Sequence, residues 1–201
     1  MKLHYRIGWL LMRWIARVLW GYRIEGSESI PASGPVIIAS NHISFWDPIL
    51  VGLGCPREVH FMAKEELFRN RFLGWLIRAY NAFPVRRGIL DRQGLRSASD
   101  LLRKGNVLLL FPEGTRSKTG EPREARPGVG FLACTAGATV VPACIEGSNR
   151  LARHFVTRAP VRLSFAEAID PGEGGSREDY QRLADGIMSD ITRLRHGGRT
   201  G

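Results

Sequence analysis

Cysteine is scarce in this chain of 201 residues: Cys55, Cys134 and Cys144 are odd in number and show no Cys-x-x-Cys spacing. A disulfide framework and a zinc knuckle are therefore unexpected, and a reducing compartment fits better. Other signatures are missing too. The chain has no Gly-x4-Gly-Lys loop, no Gly-x-Gly-x-x-Gly fingerprint and no His-Glu-x-x-His pair, so NTP hydrolysis, dinucleotide binding and zinc proteolysis lose their usual marks. No internal repeat or low-complexity stretch occurs. The uncharged stretch from Pro127 to Ile145 raises a membrane-span question, but its Gly128, Gly130, Thr135, Gly137, Thr139 and Pro142 read better as helix, turn and buried strand. With 44% hydrophobic and 24% charged side chains, the chain has the size and composition of one globular domain.

Acidic residues are the other shortage. Against 29 Lys+Arg stand only 19 Asp+Glu, a net charge of +10, so the partner is expected to be anionic: nucleic acid, lipid or acidic protein. Lys2, Arg6, Arg13, Arg17 and Arg23 all precede the first acid, Glu25. On a helix at about 100° per residue, Lys2, Arg6, Arg13 and Arg17 fall within about 60° of one another, with Ile7, Leu11, Trp14, Ile15 and Val18 opposite. The longest uncharged part of this segment, Ile7 to Met12, is far below the roughly 20 residues of a span, so such a helix lies in a membrane interface. Trp9, Trp14 and Trp20 suit that depth. Five basic residues supply up to roughly 5 kcal/mol at an anionic surface. The competing reading is a helix packed on its own domain. A signal peptide is disfavoured, because arginines interrupt the apolar run and no small-residue cleavage site follows.

Apolar runs at Val36–Ala39, Val59–Met62, Val107–Phe111, Thr139–Ala143 and Val161–Phe165 have strand length and are mostly β-branched. Helical patterns alternate with them: one opens at Asp47-Pro48, with Asp47 as its N-cap, one spans Asp91 to Lys104 and stops at Gly105, and one opens at Ser176 with Asp179 three residues on. In the last, Tyr180, Leu183, Ile187, Ile191 and Leu194 form one stripe. The expected fold is a single α/β domain with a largely parallel sheet flanked by helices. Boundaries are placed at 1–24 for the amphipathic interfacial helix, 25–195 for the domain and 196–201 for a disordered tail. Ligands of such folds bind where strands end at the carboxyl edge of the sheet.

His42 and Asp47 form a His-x4-Asp pair at one such strand end. A neutral imidazole accepts a proton, and a carboxylate on its other nitrogen orients it. No Gly-x-Ser-x-Gly elbow supplies a nucleophile, which leaves a substrate hydroxyl as the attacking group. Helix capping explains Asp47 equally well. In Phe111-Pro-Glu113-Gly114-Thr115-Arg116-Ser117, Gly114 admits close backbone approach, Thr115 and Ser117 offer hydroxyls, and Arg116 offers a planar fork suited to phosphate. A polar turn is the alternative.

Together these blocks resemble the lysophosphatidate acyltransferases (1-acyl-sn-glycerol-3-phosphate acyltransferases) of the wider glycerolipid acyltransferase group. Asn41-His-Ile-Ser-Phe-Trp-Asp47 is similar to the Asn-His-x4-Asp block, Phe83-Pro-Val-Arg-Arg87-Gly88 to the second, Phe111 to Ser117 to the third and Val141-Pro142 to the fourth, in order over roughly Pro35 to Ile145. The resemblance implies that His42, oriented by Asp47, deprotonates the sn-2 hydroxyl of lysophosphatidate, which attacks an acyl thioester. It implies that Glu113, Gly114, Thr115, Arg116 and Arg87, with Lys64, hold the glycerol phosphate and that Val141 and Pro142 line the acyl pocket. The donor would be acyl-CoA or acyl carrier protein, and a thioester needs no metal or cofactor to be activated. Site and charge then place the protein peripherally on the cytoplasmic face of the cell membrane, on anionic lipid, without a nucleic-acid role.

This sequence departs from the family pattern at Arg86, where many relatives have an acid; at Asn81, in place of a glycine; at Arg71, where a proline is common; and at Arg126-Pro127-Gly128, in place of a lysine-rich turn. The second block helps choose the acceptor, so acylation of another lysolipid is the alternative activity. A non-catalytic anionic-lipid-binding module is the alternative outside enzymology. Phe68, Phe72, Leu73, Trp75, Leu76 and Ile77, flanked by Arg69, Arg71 and Arg78, fit either a second membrane-facing element or core packing.

Overall fold

The computed structural model describes residues 2–85, 92–117, 119–121, 123–153 and 159–197. Among the described residues, seven strands form one sheet in the order β1-β7-β6-β2-β5-β3-β4. The central strand β2 (Val36–Ser40) pairs in parallel with both β5 (Val107–Leu110) and β6 (Thr139–Glu146), and β3 (Val59–Lys64) pairs in parallel with β5 and with β4 (Ala82–Val85). Every residue of β2 is buried, as its unbroken Val-Ile-Ile-Ala run requires of a strand covered on both faces. Only β7 (Arg162–Phe165) runs antiparallel to its neighbour β6, and it pairs in parallel with the short β1 (Arg23–Glu25). The expected largely parallel α/β domain is present.

Helices cover both faces. On one lie α1 (Leu3–Trp20), α2 (Asp47–Gly54) and α3 (Arg71–Ala79); on the other lie α4 (Arg92–Arg103), α5 (Gly128–Ala136) and α6 (Arg177–Gly197). The first core holds Ile38, Leu50, Val51, Val141 and Leu163. The second holds Ile37, Leu102, Leu132, Val140, Ile187 and Ile191. The opening of α6 is a reciprocal cap: the Asp179 amide donates to Ser176 Oγ at 3.1 Å, and the Ser176 amide to Asp179 Oδ2 at 3.0 Å. The helix continues through Gly197, past the expected boundary at 195; residues 198–201 lie outside the described residues.

Two expectations for the helices are corrected. Asp47 does not cap α2, whose N-cap is Trp46 with no side-chain cap bond; its carboxylate turns back toward the preceding loop. The three tryptophans of α1 do not share a face either. Trp9 and Trp20 pack against the core, and the Trp9 indole donates to the Gly52 carbonyl at 3.2 Å. Trp14 points outward with Leu3, Ile7, Leu10, Leu11 and Val18. Arg13 is half-buried over the Trp9 ring, 4.7 Å from its centroid, because the helix lies on α2 with one edge and leaves its apolar stripe uncovered.

Helices α5 and α6 touch backbone to backbone: a Cβ on Gly130 would press into the Tyr180 carbonyl, whereas one on Gly128 meets nothing. Gly130→Ala should therefore lower stability by about 1–3 kcal/mol, read as a lower melting temperature by circular dichroism. Gly128→Ala should not lower it. Equal melting temperatures for the two variants would contradict this packing.

Candidate active site

The parallel strands β2, β5, β6 and β3 deliver their exits to one edge of the sheet. His42 follows β2, the Phe111–Ser117 loop follows β5, Ser148 follows β6 and Lys64 ends β3. Asn41 locks this edge by acting as a strand partner: its Nδ2 donates to the Ile145 carbonyl at 2.9 Å, and its Oδ1 accepts from the Ile145 amide at 2.8 Å. It thereby continues the β2–β6 ladder one step with a side chain.

His42 is 7% and Asp47 0% exposed. Nδ1 of His42 lies 2.9 Å from Oδ2 of Asp47, and a carboxylate there selects the tautomer with the proton on Nδ1. Nε2 is then the nitrogen with a lone pair. Asp47 Oδ2 also accepts from the amides of Ile43 and Ser44, each at 2.6 Å. Its Oδ1 accepts from Ser148 Oγ at 2.5 Å. Four donors from two parts of the chain, residues 42–44 and Ser148, thus converge on one buried carboxylate and set its plane. The His42 ring stacks on Phe111, with centroids 4.0 Å apart and planes 15° from parallel, so its apolar face is covered as well.

The loop after β5 is stitched to His42 through the backbone. The His42 amide donates to Glu113 Oε1 at 3.3 Å, and the Ser117 amide donates to the His42 carbonyl at 2.8 Å. Glu113 is buried, and its Oε2 has no partner among the described residues. Burial pushes its carboxyl above the usual range, against the pull of the His42 and Arg123 amides. Gly114 has φ 71°, and a Cβ there would lie 3.0 Å from Arg126 Nε, so glycine meets both a left-handed backbone and a close neighbour. Thr115 Oγ1 accepts from Arg123 Nη1 at 2.9 Å, and Arg116 is exposed beside it.

Lys64 is exposed in register with Val85, the last residue of β4. Arg86 and Arg87 lie outside the described residues. Val141 and Pro142 stand apart from the polar cluster: they are buried within β6, opposite Ile38 and Ala39 of β2, and Val141 is part of the core. In the sequence Asn41 is marked only by its place in the Asn-His-x4-Asp block, which does not state its role as a strand partner. Ser148 follows Glu146-Gly147 at a strand exit, the one local signal it carries.

The described residues of this arrangement bring together a buried carboxylate–imidazole pair with an open acceptor nitrogen and, from the neighbouring strand exit, a loop carrying an exposed guanidinium. Such an arrangement has the parts needed to take a proton from a hydroxyl next to an anionic group. Residues 21–146 match the family model described as acyltransferase. A 1-acyl-sn-glycerol-3-phosphate acyltransferase of Bacillus subtilis (strain 168) is 29% identical over 165 residues, which cover 82% of this chain and 81% of the relative. A lyso-ornithine lipid O-acyltransferase of Pseudomonas aeruginosa is 29% identical over 196 residues, 88% of this chain and 74% of its own. The crystal structure of the 1-acyl-sn-glycerophosphate (LPA) acyltransferase PlsC from Thermotoga maritima matches with a TM-score of 0.68 and 30% identity, over 87% of this chain and 72% of that one.

Proposed function

The chain belongs to the acyltransferase family, and from that premise we propose that it moves a fatty acyl group from acyl-CoA or acyl carrier protein to the sn-2 hydroxyl of lysophosphatidate, forming phosphatidate. The observation that carries the chemistry is the Nδ1–Asp47 bond, which leaves Nε2 of His42 to take the hydroxyl proton. The freed oxygen forms a C–O bond to the thioester carbonyl, the C–S bond breaks, and the imidazolium returns its proton to the departing thiolate. Asp47 stabilises the imidazolium between these steps. No acyl-enzyme forms. The phosphate is held by Arg116 and the loop around Gly114 and Thr115, with Lys64 and Arg87 as further cations and Glu113 as the brace that ties this loop to His42.

The protein works as a peripheral enzyme on the cytoplasmic face of an anionic membrane. No helix among the described residues is long and apolar enough to cross a bilayer, whereas α1 presents an uncovered apolar stripe beside exposed Lys2, Arg6 and Arg17. A second reading, acylation of a lyso-ornithine lipid, is favoured by the length of the match to the Pseudomonas aeruginosa enzyme.

Purified protein should acylate lysophosphatidate at least tenfold faster than lyso-ornithine lipid or lysophosphatidylcholine, with labelled acyl-CoA and acyl carrier protein tried in turn. Faster acylation of lyso-ornithine lipid would replace the first reading with the second. Inactivity on every lysolipid with both donors would remove the enzyme reading.

A further inference from the structure

The exposed large apolar side chains are not scattered. Among the described residues they lie on α1, on the loop and first turn of α2, or on α3 and the Tyr80 after it, with Phe131 as the exception on the opposite face. On α3, Phe72 is 72% and Trp75 65% exposed, and Leu76 continues their stripe; core packing does not account for them. Gly74, on the other side of this helix, is the residue that seats it, since a Cβ there would crowd the Phe68 backbone at 2.9 Å.

The stripe runs into α1. Its last turn contacts that helix through His4 Nε2 and the Ala79 carbonyl, 3.4 Å apart, and through the Tyr5 and Tyr80 rings, 5.8 Å apart. Phe45, Trp46 and Ile49 add an exposed group on the same side of the sheet, within seven residues of His42 along the chain. Phe45 and Trp46 meet edge to face. On and beside the two helices the exposed basic residues are Lys2, Arg6, Arg17, Arg69, Arg71 and Arg78, and neither α1 nor α3 contains an acidic residue; exposed Glu65 and Glu66 lie on the short turn that precedes α3. An apolar face on two helices whose own charges are all basic suits an interface with anionic headgroups. It does not suit a second copy of itself, because a two-fold contact would set like charges against one another.

We propose that α3 and the Phe45–Trp46 pair form a second bilayer-inserting element that acts with α1 and seats the His42 edge of the sheet against an anionic lipid surface. This deepens the reading of the protein as a peripheral lipid acyltransferase and rests on it for the orientation of the active site. The face itself binds lipid whatever the acceptor is. Arg78, stacked 4.6 Å over the Phe68 ring, and Arg69 and Arg71 at the start of α3 place guanidinium groups at headgroup depth while Phe72, Trp75 and Leu76 enter the acyl boundary.

The test is flotation of the full chain with phosphatidylcholine vesicles, with and without phosphatidylglycerol, comparing wild type with Phe72→Ser/Trp75→Ser. The double variant should partition onto the anionic vesicles roughly tenfold or more weakly. Its melting temperature and its acylation of a short-chain, water-soluble lysophosphatidate should be unchanged. Brominated lipids should quench wild-type tryptophan fluorescence more than that of Trp75→Phe. Three results overturn the proposal: undiminished binding by the double variant, no vesicle binding by wild type, or a wild-type dimer that the double variant dissolves to monomer. Loss of the function reading is separable, since wild type that binds vesicles yet acylates no lysolipid leaves this interface standing.

Discussion

His42→Ala is expected to lower kcat for acyl transfer by about 10²- to 10⁴-fold, the contribution of one well-placed general base, with little change in KM. The ring is the acceptor of the hydroxyl proton and is not among the groups proposed to hold the phosphate. Its removal should also leave the site standing. The bonds that tie His42 to Glu113 and Ser117 use its backbone amide and carbonyl, and Asp47 keeps its donors from Ile43, Ser44 and Ser148. Steady-state rates over a range of lysophosphatidate concentrations, beside a thermal melt, check this. A folded variant within threefold of the wild-type kcat would place the base elsewhere. Vesicle binding should be the same in both proteins, because His42 is buried and contributes no exposed apolar surface.

Asp47→Asn should cost on the order of 10²- to 10⁴-fold in kcat while the protein remains folded. All four groups facing the carboxylate are donors or a hydroxyl. An asparagine is accommodated with its carbonyl oxygen in the Oδ2 position, toward His42 and the two amides, and its NH₂ toward Ser148, whose hydroxyl turns to accept. The opposite placement would set NH₂ against three donors. The tolerated arrangement preserves shape and removes the negative charge that supports the imidazolium. Ser148→Ala asks a narrower question. It leaves Oδ1 without a donor in a fully buried position, at a stability cost of about 1–3 kcal/mol, and frees the carboxylate to rotate. Roughly tenfold lower kcat with unchanged KM is expected, restored by Ser148→Thr. A Ser148→Ala enzyme with wild-type kcat would make this serine a packing residue alone.

How legible these features were depended on the range of the interactions behind them. The five runs read as strands are the interior of the sheet; in β2, β5 and β6 burial on both faces writes a nearly unbroken apolar run into the sequence, while β7 alternates buried Leu163 and Phe165 with Arg162 and Ser164. The edge strands carry no such signal, for the converse reason. β1 is three residues long with Arg23 and Glu25 outward, and β4 contains Pro84, which only an edge position tolerates. Asn81, a departure from the family pattern, sits at φ 63°, a left-handed conformation that asparagine accepts more readily than other non-glycine residues.

By itself the sequence determined the α/β class, the reciprocal cap of α6 and the basic amphipathic character of α1. Each of these depends on residues within a few turns of one another, where periodicity, capping chemistry and short loops leave little choice. The tertiary structure alone decided that Asp47 faces His42 instead of capping α2, and that Ser148, 101 positions away, completes its hydrogen bonds. It likewise decided that Asn41 pairs with Ile145 across 104 positions, that Trp9 and Trp20 turn inward while Trp14 stays out, and that the apolar stripe of α3 is exposed. Those outcomes depend on which strand lies beside which and on what covers each helix, and an amphipathic pattern states that a face is apolar without stating what will lie against it.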